Sequence, residues 1–151
     1  MTYKLAQGVN TLNVFRLENI LRKRFTCPID DLGNEIDRFF TAVEDVGYSQ
    51  NGDFFYSLNN TPMDKMVDIE FFLPVIEEEA LSDQFVFSSY FEIHNCLQTQ
   101  INHSYEELTE GAYALLVATL LENEQEIRTP FYHLFSSIQP QTVTIFVGYA
   151  Y

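Results

Sequence analysis

The strongest constraint on this chain is that it matches itself. Shifted by 76 residues without a gap, the second half lies over the first. Val14-Phe-Arg-Leu-Glu-Asn-Ile-Leu21 falls on Tyr90-Phe-Glu-Ile-His-Asn-Cys-Leu97. Phe55–Leu58 falls on Phe131–Leu134, and Val67–Ile69 on Val143–Ile145. Leu32 and Ala42 meet Leu108 and Ala118. Ten positions are identical between Phe15 and Ile145, so what repeats is mainly the placement of apolar residues. A unit of half this length buries too little surface to close a core alone. The expectation is therefore a single domain of two pseudo-symmetric repeats, 12–75 and 88–149, joined by a linker at 76–87. A cleft is expected at the seam between them.

The elements within a repeat follow from residue patterning. Residues 12–26 carry Val14, Phe15, Leu17, Ile20, Leu21 and Phe25 and read as a long strand bent near Asn19. Cys27-Pro28 ends it, because proline lacks a donor and fixes φ. Asp30 or Asp31 caps a helix whose stripe is Leu32, Ile36, Phe39, Phe40 and Val43. Gly47 ends that helix. Asn51-Gly52 and Asn59-Asn60-Thr61-Pro62 are turns. Between them lies the strand Phe54–Leu58, and after them Met66–Val75. In that last strand Val67, Ile69, Phe71 and Leu73 share one face, with Asp68, Glu70 and Phe72 on the other.

The second half repeats this order. Phe85–Ile101 is a strand bent near Asn95, the partner of Asn19. Ser104 with Glu107 has capping-box spacing, and Leu108, Ala112, Leu115, Leu116 and Thr119 form the helical stripe. Strands Phe131–Ser136 and Thr142–Gly148 follow. The fold class is α+β: a tandem βαββ repeat giving an antiparallel sheet with two helices on one side. The two repeats leave no room for a helix-turn-helix segment.

Charge and composition exclude several functions. Eight Lys and Arg stand against 22 Asp and Glu, a net charge of −14. Nucleic acid is not an expected partner, since phosphates are held by clustered cations. An anionic membrane surface is excluded on the same ground. No run approaches the ~20 apolar residues of a membrane span, and the N-terminus does not read as a signal peptide. Cys27 and Cys96 do not coincide in the repeat and read as reduced, buried thiols of a cytoplasmic protein. The scattered glycines make no phosphate loop, and neither a nucleophile elbow nor a cysteine-protease pattern occurs.

The doubled strand–helix–strand–strand order resembles the GyrI-like, or effector-binding, fold. That fold is the drug-sensing half of several bacterial multidrug regulators and also occurs alone. His103-Ser104-Tyr105 stands where such proteins carry Gly-Pro-Tyr, and Pro130-Phe-Tyr-His-Leu-Phe135 where they carry Pro-x-x-Glu-x-Tyr. In drug-sensing members the buried Glu pairs with cationic aromatic compounds. His133 replaces it here, and Phe135 replaces the Tyr, so the resemblance carries the fold further than cation binding. A narrower likeness involves Phe55–Asn60, Glu70–Val75, Ser88–Phe91 and Thr129–His133. These segments look like an uncharacterised Gram-positive family whose genes often sit near LXG-type toxins exported by the type VII system.

The candidate ligand-binding residues are Phe55, Tyr56, Ser57, Glu70, Tyr90, Tyr113, Phe131, His133 and Phe135. Most are aromatic, as expected of a small-molecule pocket with few polar anchors. His133 and Ser57 coincide in the repeat, which invites a nucleophile–base reading, but no third orienting acid is placed. A satisfied polar pair lining a pocket is preferred to a hydrolytic pair, and a merely structural pair is preferred to both. Glu70 is a lone carboxylate in an apolar stretch, available as a cation anchor if buried. No catalytic residue, metal ligand or cofactor is assigned; His94, His103 and His133 lack zinc-ligand spacing. The reading is a stand-alone, non-enzymatic binding module for a small aromatic or apolar molecule. The alternatives are a protein-interaction adaptor or chaperone for an exported LXG-type toxin, and a small hydrolase of the GyrI-like group.

Overall fold

A computed structural model describes residues 4–60, 64–139 and 141–150. The order of elements is β1 (Val9–Pro28), a 3-10 turn (Ile29–Asp31), α1 (Leu32–Val46), β2 (Phe55–Leu58), β3 (Met66–Pro74), β4 (Val86–Ile101), α2 (Tyr105–Glu122), β5 (Glu126–Ile127), β6 (Phe131–Phe135) and β7 (Val143–Ala150). This is the tandem βαββ order expected, with the short β5 added. Two compact units result: Leu17–Phe91, and the residues up to Arg16 with those from Glu92 onward. Each long strand is thus divided between units, at Arg16/Leu17 and at Phe91/Glu92.

In the unit Leu17–Phe91, β3 pairs antiparallel with β1 from Ile20 onward and with β2. Phe71 and Phe72 point to opposite faces, as neighbours on a strand must. On one face Phe39 of α1 packs against Phe71, Phe54 and Phe85, with ring centroids 5.3, 6.0 and 5.6 Å away. On the other face Phe72 stacks on Phe55 at 4.6 Å, Phe91 lies 5.0 Å from Phe72, and the Arg22 guanidinium sits 5.1 Å over the Phe72 ring. Phe72 is therefore buried like its neighbours, although it was expected on the polar side. Gly47 ends α1 in the left-handed region, φ 102°, as a C-terminal glycine does.

In the other unit β7 is the central strand, paired antiparallel with β4, β6 and β5. One side carries a core of Leu97, Ile101, Leu116, Leu120, Ile145 and Val147. On the opposite side Tyr132 stacks on Phe146 at 4.9 Å, and Phe15 approaches Phe146 at 4.6 Å.

The expected bends are real and have a definite geometry. Asn19 (φ 56°) and Asn95 (φ 61°) both adopt the left-handed conformation, which asparagine tolerates better than most residues. Side-chain alternation breaks there, so two consecutive residues are fully buried after each, Ile20 with Leu21 and Cys96 with Leu97. Hence Tyr90 and His94, which are exposed, do not share a face with Cys96.

Two expectations need correction. The repeat is not gap-free in three dimensions. Arg22–Phe72–Phe55 form a row across one sheet, and Gln98–Phe146–Tyr132 the matching row across the other. Those matches are 76, 74 and 77 residues apart, so the strand registers slip although the apolar pattern does not. By register the counterpart of His133 is Tyr56, and Ser57 faces the opposite side of its sheet; a slip of one residue exchanges faces. Second, Ser104 makes no side-chain cap: it is left-handed (φ 49°), and its carbonyl accepts the Glu107 and Leu108 N–H groups. Asp31 likewise makes no side-chain cap at α1, and its Oδ1 accepts from the Asn34 amide. In the 76–87 linker, Glu77 accepts the Ser49 N–H at 2.7 Å.

Replacing Phe39 by Ala removes a ring held among Phe54, Phe71 and Phe85. Urea unfolding should show a loss of about 3–5 kcal/mol; a loss under ~1 kcal/mol would deny Phe39 this role.

Candidate functional site

The polar residue most out of place in either core is His133. It lies on β6 opposite Ile145 and is 1% exposed. Alternation along β6 sends Phe131, His133 and Phe135 to the same side, towards α2. Tyr105 and Tyr113 stand eight residues apart on α2, close to two full turns, and reach the same place. The Tyr105 hydroxyl bonds Nδ1 of His133 and the Tyr113 hydroxyl bonds Nε2. Both phenol rings are perpendicular to the imidazole, with centroids 5.7 and 5.6 Å away. Phe131 stacks on Tyr113 at 4.1 Å, and Phe135 meets Tyr105 edge-on at 5.7 Å. The result is a neutral polar centre framed by four half-buried rings.

Burial pushes the His133 pKa down to about 3. At neutral pH the ring therefore has one N–H and one lone pair. One tyrosine donates to the lone pair and the other accepts the N–H, and the tautomer decides which. The hydrogen-bond chain Tyr105–His133–Tyr113 has two opposite directions, and a ligand touching either phenol would bias them. Tyr105, His133 and Tyr113 thus present hydroxyl and imidazole dipoles beside ring faces.

The other expected site residues lie in the unit Leu17–Phe91. Phe55 and Tyr56 are buried in its core. Ser57 donates to Oδ1 of Asn59 at 3.2 Å. Glu70 is not a lone carboxylate. Arg22 grips it from Nε at 3.0 Å and Nη2 at 3.3 Å, so it is committed to a charge pair. Tyr90 is 57% exposed, outside both cores. The structure thus assembles Tyr113, Phe131, His133 and Phe135, and adds Tyr105. The signal for Tyr105 in the sequence, its spacing to Tyr113, acquires meaning only once α2 is placed over β6.

The remaining histidines are engaged separately. His94 pairs with Glu92, and His103 Nδ1 lies 3.3 Å from the Ser104 hydroxyl. Among the described residues no cluster of three His, Cys, Asp or Glu could hold a metal. Cys27 and Cys96 are buried free thiols. Burial pushes Cys96 up to about 11 and raises Cys27 too, which keeps both in the unreactive protonated form. No helix among the described residues is long and apolar enough to cross a membrane.

Residues 16–148 match the family described as domain of unknown function DUF5085. The chain belongs to this family. Comparison with curated proteins gives no match. Among solved structures the chain is similar to the EcmrR C-terminal domain, with TM-score 0.74 and 15% identity over 99% of both chains. Against EcmrR in its DNA complex it spans only 58% of that protein, at 13% identity over 95% of this chain and TM-score 0.75. A hydrolase from Listeria innocua shares 11% identity over 98% of this chain and 94% of its own, with TM-score 0.67. The protein SAV2435, solved bound to tetraphenylphosphonium, shares 8% over 99% and 94%, with TM-score 0.55. These likenesses establish the GyrI-like, effector-binding α+β fold for this DUF5085 member.

The lowered His133 pKa has a definite sign in stability. The unfolded chain takes up this proton near pH 6.5 and the folded one only near pH 3. The contribution is complete above pH 6.5 and is lost as pH falls towards 3, by up to about 1.4 kcal/mol per pH unit. The difference in unfolding free energy between His133→Gln and the parent, measured from pH 7 to 4, should shift in favour of the variant. A pH-independent difference would refute the buried neutral histidine.

Proposed function

We propose that this protein is a non-enzymatic binding module, acting in the cytoplasm, for a small, flat, uncharged aromatic molecule. The contact surface is the ring cluster Tyr105, Tyr113, Phe131 and Phe135 around His133. The observation that carries this reading is the neutral imidazole held at both nitrogens by phenols at the base of half-buried rings. Aromatic faces supply apolar contact, and the phenol hydroxyls supply the few polar anchors that give a ligand its orientation. The shared fold with an effector-binding domain is in keeping with it.

The Listeria hydrolase raises an enzymatic alternative, but the side chains favour binding. His133 has both ring nitrogens engaged by tyrosines, and Ser57 is committed to Asn59. A second reading, a protein-interaction adaptor, draws on a different feature: α2 carries no charged residue from Gly111 to Leu121.

A thermal-shift titration with 2-naphthol and with tetraphenylphosphonium tests the first reading. A ligand at about 100 times its Kd stabilises by about 2.7 kcal/mol. For a chain of this size that is about 5–10 °C in Tm. The neutral compound should raise Tm, the cation should not, and Phe131→Ala should abolish the shift. No shift with any neutral aromatic, or an undiminished shift in Phe131→Ala, would count against the site.

A further inference from the structure

α1 and α2 occupy the same place in the two βαββ orders but present different outer surfaces. The exposed side of α1 carries Asn34, Asp37, Arg38, Thr41, Glu44 and Asp45, the usual polar face of a surface helix. Between the exposed acids Glu107 and Glu110 at one end and Glu122 at the other, the exposed side of α2 carries Gly111, Ala114, Ala118 and Leu121, with Leu121 72% exposed and Leu108, 40% exposed, beside Glu107. An exposed helix face without a charge over eleven residues is unusual for a chain with a net charge of −14.

Two concavities line one flank of this face. The first, about 290 Å³, is bounded on α2 by Leu108, Gly111 and Leu115. The second, about 260 Å³, is bounded on α2 by Ala118 and Glu122. A Cβ built on Gly111 would meet nothing within 4 Å, so the space above it is open. Glycine within a helix costs about 1 kcal/mol relative to alanine, and no crowding requires it here. Gly111 and Ala118 are seven residues apart, about 10.5 Å along the axis. That spacing suits two apolar side chains at i and i+7 of a docking helix.

The charges around the face decide the occupant. Glu107 and Glu110 flank its N-terminal end, and Glu122 and Glu124 its C-terminal end, all exposed. Lys4 bridges Glu122 at 3.3 Å, leaving the surround acidic. A second copy is disfavoured. Antiparallel pairing would set Glu107 and Glu110 against Glu122 of the other copy, and parallel pairing would set each acid against its like.

We propose that the outer face of α2 is a docking surface for an amphipathic helix of a partner protein, apolar along one stripe and flanked by Lys or Arg. This surface is separate from the His133 cluster, and it needs neither the small-molecule reading nor the toxin association.

The test uses the whole protein with two synthetic helical peptides of the 18-residue length of α2. Both carry Leu at i and i+7; one has Lys flanks and the other Glu. The Lys peptide should shift the amide NMR signals of Gly111, Ala114, Ala118 and Leu121, and the Glu peptide should not bind. Ala118→Glu keeps an exposed helical position and should weaken the Lys peptide by at least about tenfold. Ala114→Glu repeats the measurement should Ala118→Glu melt early. Nonspecific attraction would instead strengthen with the added acid. Undiminished binding in both variants, or signals shifting only elsewhere, would overturn the proposal. So would a concentration-dependent dimer lost in Ala118→Glu, since the occupant would then be a second copy.

Discussion

The left-handed asparagines, Asn19 and Asn95, are the constraint on which both units depend. A strand alternates its side chains, and only a local break puts two neighbours on the buried side. Each asparagine supplies that break just before the ladder to the central strand begins, at Ile20↔Pro74 and at Cys96↔Gly148. One long strand can then satisfy two different surroundings along its length. A β-branched residue at either position would resist the positive φ.

Registers beyond that break fix which side chains meet the helices. Phe71 and Ile145 occupy matching places on their central strands, but their neighbours differ. Beside Phe71 stands Tyr56, and Phe39 of α1 fills the space with another ring. Beside Ile145 stands His133, and α2 brings two phenols in place of plain hydrocarbon. A buried imidazole costs least with both nitrogens hydrogen-bonded. The second unit has therefore put a polar triad where the first has an ordinary aromatic core.

The helices diverge outwardly as well. α1 is amphipathic in the ordinary way, whereas α2 is apolar around most of its circumference. Its inner side holds Leu116 and Leu120 in the core. Burial therefore accounts for its inner residues but not for Leu108 and Leu121. The duplicated architecture has thus specialised one copy on both faces of its helix.

The sequence by itself determined the architecture. Apolar periodicity of two and of 3.6 is a local property, so the βαββ order, the bends at Asn19 and Asn95, and the glycine end of α1 were all legible. His133 stood out in the sequence as well, by its place opposite Ser57 in the repeat and at the position of the fold's buried Glu. Tertiary structure decided the pairings. The 76-residue offset matches apolar positions but carries no information on ladder register, so it set Ser57 against His133 where register sets Tyr56. Nor did it reveal that Glu70 is held by Arg22, or that Tyr105 and Tyr113 close on both nitrogens of His133. Those contacts join residues 20 to 48 positions apart. Such contacts depend on how strands align and where a helix lies, and no short-range pattern encodes that.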